Sequence, residues 1–130
     1  MKSNYTRAKD MLDKVFSIYI RIRDQRRFGN CVICGKRPIA VCFHFLPRGN
    51  TATRWEVDNA CGSCAPCNYA EHMNRGRAYS DDRFKDLHIQ LIGKERRAEL
   101  ELLAKSKFKK SAVELVEMKN ELERKLQTCD

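Results

Sequence analysis

The stretch CGSCAPCNYAEH, residues 61–72, sets three cysteines at three-residue spacing and follows them with Asn68 and His72. Cys61, Cys64 and Cys67 overlap as two CxxC pairs, and CVICG at residues 31–35 supplies another pair in Cys31 and Cys34. Two such pairs provide the four soft thiolates that a closed tetrahedral zinc site prefers. Spacing alone leaves Cys61 and Cys64 as alternatives for the second pair. The chain has seven cysteines and no basic-then-apolar leader. That combination predicts a reducing compartment, where CxxC pairs bind metal more often than they form disulfides.

A chain of 130 residues suffices for one compact domain, or for a small core with a helical extension. The formal net charge is +9, and it is unevenly placed. Residues 1–80 hold fourteen basic and six acidic side chains, residues 81–130 twelve and eleven. The positive field therefore belongs to the cysteine-bearing part, and a field of that sign favours phosphate backbones. No apolar run is long enough to span a bilayer, so nucleic acid is the expected partner.

Outward from the cysteines, the pattern predicts a mostly helical α+β chain. Over residues 6–27, Ala8, Met11, Leu12, Val15, Phe16, Ile18, Tyr19 and Ile22 recur at helical spacing, and Gly29 ends the helix. Gly35 suits the tight knuckle at the first cysteine pair. Residues 39–45 are β-branched and aromatic, hence a strand. A turn over residues 47–50 and a second strand over 54–57 complete a hairpin. Pro66 opens a helix that runs to about Gly76. Ser80, Asp81 and Asp82 start another, with Phe84, Leu87, Leu91 and Ile92 on one face and Gly93 as its stop. Residues 95–104 form a short helix and 105–110 a basic loop. Ser111 and Glu114 form the capping box of a last helix carrying Leu115, Met118, Leu122 and Leu126. His88 is expected at the surface, and Cys129 as an exposed thiol.

The register of the other polar residues carries a resemblance. His44, then Asn59, then the Cys64/Cys67 pair with Asn68 directly behind it, resembles the His-Asn-His (ββα-metal) nuclease motif. The segments FSIYIRIRD at residues 16–24, HFLPR at 44–48 and CAPCN at 64–68, with Asn74 and LIG at 91–93, resemble the NinG (Rap) family of phage recombination endonucleases over nearly the whole chain. The resemblance selects Cys31, Cys34, Cys64 and Cys67 for one structural zinc and leaves Cys61 as a small apolar core residue. It implies a zinc-braced β-hairpin and helix over residues 1–78, behind the first helix, and a helical extension over 79–130 packed on the core or on a second subunit. It further implies a DNA endonuclease acting on branched DNA such as Holliday junctions and D-loops. Such an enzyme uses magnesium or manganese, in the cytoplasm of a bacterial host that carries the phage or prophage. Asn59, on the same resemblance, ties down the loop between the strands and aims His44.

The residue chemistry is compatible with that activity. Phosphodiester hydrolysis needs a base for the attacking water and a cation for the developing charge. His44, with an unperturbed pKa of about 6.5, suits the base. Asn68 offers a hard carbonyl oxygen to a catalytic divalent ion, and His72, four residues on, shares its helical face. Where relatives place a further metal ligand before the catalytic histidine, this chain has Val41, Cys42 and Phe43, which leaves either an ion with two protein ligands completed by water and substrate phosphate, or Glu56 or Asp58 turned inward as the substitute. Arg21, Arg23, Arg26, Arg27, Arg48 and Arg54 are the expected phosphate contacts. A homodimer would present two such sites to a four-way junction. The alternatives are an endonuclease that nicks plain duplex DNA and a non-catalytic zinc-stabilised DNA-binding protein.

Overall fold

The computed structural model describes residues 2–73 and 82–128, and of residues 70–73 and 82 the backbone only. Asn74, the helix end near Gly76, the helix start at Ser80 and Asp81, Cys129 and the side chain of His72 lie outside the described residues.

Helix α1 (Asn4–Phe28) is capped at both ends. Ser3 Oγ accepts the Thr6 N–H at 3.1 Å, and Gly29, at φ 81°, returns its own N–H to the Gln25 carbonyl. Its buried row is Ala8, Leu12, Phe16, Ile20 and Asp24, a strict four-residue repeat. Met11, Ile18 and Ile22, expected on the buried face, are exposed. The wide apolar surface of the helix offered several stripes, and packing selected one of them.

Strand β1 (Val41–His44) pairs antiparallel with β2 (Ala60–Ser63), with Phe43 opposite Cys61 and His44 opposite Ala60. The second strand is thus not at residues 54–57. That stretch belongs to a long connection holding the helical turn α2 (Thr51–Arg54) and a 3-10 turn (Val57–Asn59). Arg54 and Trp55 turn inward there because both donate to the Asp13 carboxylate on α1, a contact no local periodicity encodes. The true β2, ACGS, is poor in β-formers but buried on both faces. A Cβ at Gly62 would lie 2.9 Å from two carbons of Ile39 and 3.3 Å from Asp24 Cβ, so only glycine fits this close approach.

Helix α3 (Ala65–Met73) follows β2 directly. Helices α4 (Asp82–Ile92), α5 (Lys94–Ala104) and α6 (Ala112–Thr128) complete the chain. The capping box of α6 forms in both directions: Glu114 N–H donates to Ser111 Oγ, and Ser111 N–H to Glu114 Oε1. The hairpin separates two cores. On one side Leu12, Phe16 and Ile20 of α1 gather with Trp55, Ala60 and, from α6, Leu115 and Leu122. On the other, Phe43, Phe45 and Cys61 pack with Val32, Ile33 and the α4 residues Phe84, Leu87 and Leu91. The period-two alternation of β1 sends Phe43 and Phe45 to the second core and leaves His44 against α1. No helix among the described residues is long and apolar enough to cross a membrane.

Candidate functional site

Cys31, Cys34, Cys64 and Cys67 bring their sulfurs within 4.8 Å of one another, a donor set compatible with structural zinc. The backbone builds each half. In the first knuckle Gly35, at φ 69°, lets its N–H reach the Cys31 carbonyl at 2.8 Å. The Cys34 and Lys36 N–H groups point at the sulfurs of Cys31 and Cys34, each at 3.5 Å. In the second half Cys64 immediately precedes α3, and its carbonyl accepts the Asn68 N–H at 3.2 Å. Backbone N–H groups of Lys36 and Arg37 lower the Cys34 thiol to about 6, and those of Cys34, Cys64 and Ile33 outweigh burial to lower Cys31. Burial and neighbouring thiols raise Cys67, since four thiolates this close need a cation to ionise together. Cys61 stands apart in the second core, its thiol pushed well above the ordinary range by burial.

A cleft of about 380 Å³ opens beside the hairpin, where His44 and Asn68 meet Arg48 and the α1 residues Asp13, Ser17 and Arg21. Two of the three predicted catalytic residues therefore share one cavity. His44 Nε2 lies 3.0 Å from the Arg54 carbonyl, and its ring stacks on Phe16 at 5.7 Å. A carbonyl can only accept, so Nε2 carries the hydrogen and Nδ1 keeps the lone pair. Burial lowers the His44 pKa to about 4 rather than leaving it near 6.5, so the ring is neutral at physiological pH.

Asn59 is fully buried behind the cleft. Its Oδ1 accepts the Leu46 N–H at 2.9 Å, and its Nδ2 donates to the Thr53 carbonyl at 3.1 Å. It joins both sides of the loop whose Arg54 carbonyl holds His44. Cys42 lines the same cleft, and burial pushes its thiol up to about 12, so it is an uncharged wall.

Glu56 and Asp58 do not turn toward the cleft. Both carboxylates pair with Arg96 of α5, which docks that helix onto the 3-10 turn. The acid that does line the cleft is Asp13, which accepts from Arg48 Nη2 at 2.9 Å, Arg54 Nε at 3.0 Å and Trp55 Nε1 at 2.8 Å. Burial opposes its ionisation, but the bonds from Arg54 and Trp55 prevail and hold its carboxyl below the usual value. The sequence offered little sign of Asp13, one polar residue beside the buried Leu12.

The predicted arginine contacts divide. Arg21 and Arg48 line the cleft, and Arg26 is exposed on α1. Arg27 is half-exposed, 3.6 Å from Asp24 and over the Phe28 ring. Arg23 and Arg54 face inward instead. Arg23 bonds both oxygens of the buried Asp24 and donates to the carbonyls of Val57 at 2.7 Å and Ala60 at 2.8 Å. Asp24 also accepts the Gly62 N–H at 2.8 Å, so this pair pins α1 to β2. An acid falling on the Ala8–Leu12–Phe16–Ile20 row was the signal for it.

His88, expected at the surface, is wholly buried. It stacks on Phe45 at 4.2 Å, with Nε2 2.7 Å from the Asp58 carbonyl and Nδ1 3.0 Å from Arg97 Nη1. Its neutral tautomer is fixed by an acceptor on one side and a donor on the other. Set against protein-family models, curated proteins and solved structures, the chain finds no match in any of the three.

Proposed function

We propose that the protein is a metal-dependent DNA endonuclease that hydrolyses phosphodiesters in branched DNA, with one structural zinc at Cys31, Cys34, Cys64 and Cys67. The observation that carries the reading is the His44 arrangement. A neutral imidazole, oriented by the Arg54 carbonyl on a loop that Asn59 ties down, opens on a cleft shared with Asn68 and two arginines. His44 Nδ1 takes a proton from water as its oxygen bonds to phosphorus and the bond to the leaving sugar oxygen breaks. Arg21 and Arg48 contact phosphate oxygens at the rim.

The side-chain oxygens in the cleft include the Asn68 amide, the Asp13 carboxylate and the Ser17 hydroxyl, of which the first two suit a hard cation. Asn68, with His72 four residues along α3, would hold magnesium or manganese. The ion would supply charge stabilisation to the phosphate and the leaving oxygen.

One observation favours a second reading, a non-catalytic zinc-stabilised DNA-binding protein: the Asp13 carboxylate is already engaged by Arg48, Arg54 and Trp55. Purified protein on labelled junction and duplex DNA, with magnesium, manganese or a chelator, separates the two. Junction cleavage is expected with a divalent ion. His44→Ala should retain DNA affinity while losing about two to four orders of magnitude in rate. A wild-type protein that fails to cut whichever divalent ion is supplied, or a His44→Ala protein that cuts as fast as wild type, overturns the endonuclease reading.

A further inference from the structure

The loop at residues 105–110, KSKFKK, stands apart from the cleft and has no part in the chemistry above. Lys105, Lys107, Phe108 and Lys109 are exposed, and Phe108 shows 55% of its surface. The lysine ion pairs among the described residues belong to Lys2, Lys85 and Lys119, and none to this loop. A basic cluster with no carboxylate partner among the described residues, set around an exposed aromatic that has Lys110 5.7 Å from its ring centroid, is suited to phosphate and base contact.

The loop is also ordered in place. The N–H groups of Lys105 and Ser106 close on the carbonyls of Leu102 and Leu103, and the Phe108 N–H bonds Ser106 Oγ at 3.0 Å. The Lys109 ammonium lies 4.2 Å from the Tyr5 ring centroid, and Lys9 lies 6.0 Å from it. The loop is thereby fastened to the N-terminal turn of α1.

From Tyr5 a four-residue row runs along α1 through Lys9, Asp13 and Ser17 to Arg21. A shallow trough lined by Asp13, Lys14, Ser17, Ile18 and Arg21 adjoins the cleft, with which it shares Asp13, Ser17 and Arg21. At about 1.5 Å rise per residue, Tyr5 and Arg21 are about 24 Å apart along the axis. That is about seven base-pair steps of duplex at about 3.4 Å each.

We infer that residues 105–110 form a second duplex-DNA contact, about 24 Å along α1 from Arg21 of the cleft. A DNA arm with its reacting phosphate at His44 lies along α1 and is held at its far end by Lys107, Lys109 and Phe108. The inference rests on DNA being the substrate of the cleft and adds where the flanking arm runs. An anionic membrane would also attract lysines, but Lys14 and Arg21 in the trough and Arg48 in the cleft continue the basic residues away from the loop, which favours a linear polyanion.

The test compares full-length wild type, Lys107→Ala/Lys109→Ala/Phe108→Ala and Arg21→Ala/Arg48→Ala. Each is titrated by fluorescence anisotropy with a duplex of about 20 base pairs at several salt concentrations, without added divalent ion, and with phosphatidylserine vesicles in parallel. Losing two phosphate contacts should reduce the salt slope by about 2 and weaken duplex binding on the order of tenfold near 0.1 M salt. Cleavage at saturating DNA should be unchanged in the loop variant, because the loop does not touch the reacting phosphate. Wild-type affinity and slope in the loop variant, with cleavage intact, overturn the loop contact and leave the endonuclease reading standing. Loop-dependent binding without cleavage by wild type upholds the contact and removes the endonuclease. Loop-dependent binding to vesicles but not to duplex overturns the inference.

Discussion

Arg23 and Arg21 are two residues apart in sequence and play opposite parts. Arg23 is bonded to Asp24 and to two carbonyls inside the fold, whereas Arg21 bonds Ser17 and lines the cleft. Arg23→Ala would leave the buried Asp24 with only the Gly62 N–H at 2.8 Å and the half-exposed Arg27 at 3.6 Å, and breaking a buried pair costs up to about 3–5 kcal/mol. Chemical denaturation should show that loss, while the salt slope of DNA binding stays at the wild-type value; Arg21→Ala should do the reverse. His88 gives a pH prediction. Burial places its folded pKa at about 4, below the 6.5 of an exposed ring. As pH falls, the unfolded chain protonates first, so its contribution is complete above about 6.5 and is lost progressively toward 4. The loss is about 1.4 kcal/mol for each pH unit in that window. Urea melts at pH 7 and 5 should show a smaller acid-side drop for His88→Gln than for wild type. The same logic at His44 puts the acid limb of the cleavage profile near 4, not near 6.5.

At the level of elements, the cysteine register makes a sharp distinction. Cys67 belongs to the four-sulfur cluster, and Cys61 to an apolar core beside Phe43 and Phe45. Zinc-binding free energy is folding free energy in a site of this kind. Cys67→Ala should therefore lose bound zinc and the structure around residues 31–37 and 64–68. Cys61→Ala removes one sulfur from a packed site and should keep one zinc per chain with a loss of about 1–2 kcal/mol. Metal analysis of both purified variants, followed by thermal melts, checks this. Equal loss of zinc from both would overturn this register, and loss from Cys61→Ala alone would place the second pair at Cys61 and Cys64.

At the scale of the whole molecule, the helices after residue 82 are not a detachable appendage. Helix α6 closes the core that α1 forms with Trp55 and Ala60, and α4 covers Phe43 and Phe45 on the far side of the hairpin. Arg96 and His88 then fasten α5 and α4 to Asp58, next to Asn59. A two-stranded hairpin alone is marginal in water, so these helices supply the apolar cover it requires. Leu115, fully buried against α1, is a direct probe. Leu115→Ala should cost about 2–5 kcal/mol. Its thermal midpoint should fall although the residue belongs neither to the four-cysteine cluster nor to the lining of the cleft.

Local chemistry was legible wherever one short segment decides the outcome. Ser111 and Glu114 cap α6 because both partners lie within one turn, Gly29 stops α1 through its own φ, and the CxxC spacing points to a four-sulfur cluster while leaving Cys61 and Cys64 as alternatives. The meeting of His44 with Asn68 followed from the motif resemblance together with strand alternation. Other features needed groups distant in sequence. The placement of β2 depended on Arg54 and Trp55 being drawn to Asp13, and on Gly62 fitting against Ile39 and Asp24. Arg23 and His88 left the surface because buried carbonyls awaited their donors. A periodic pattern reports which residues avoid water. Which polar residue is taken in with them is decided only when the fold brings a partner to within hydrogen-bond reach.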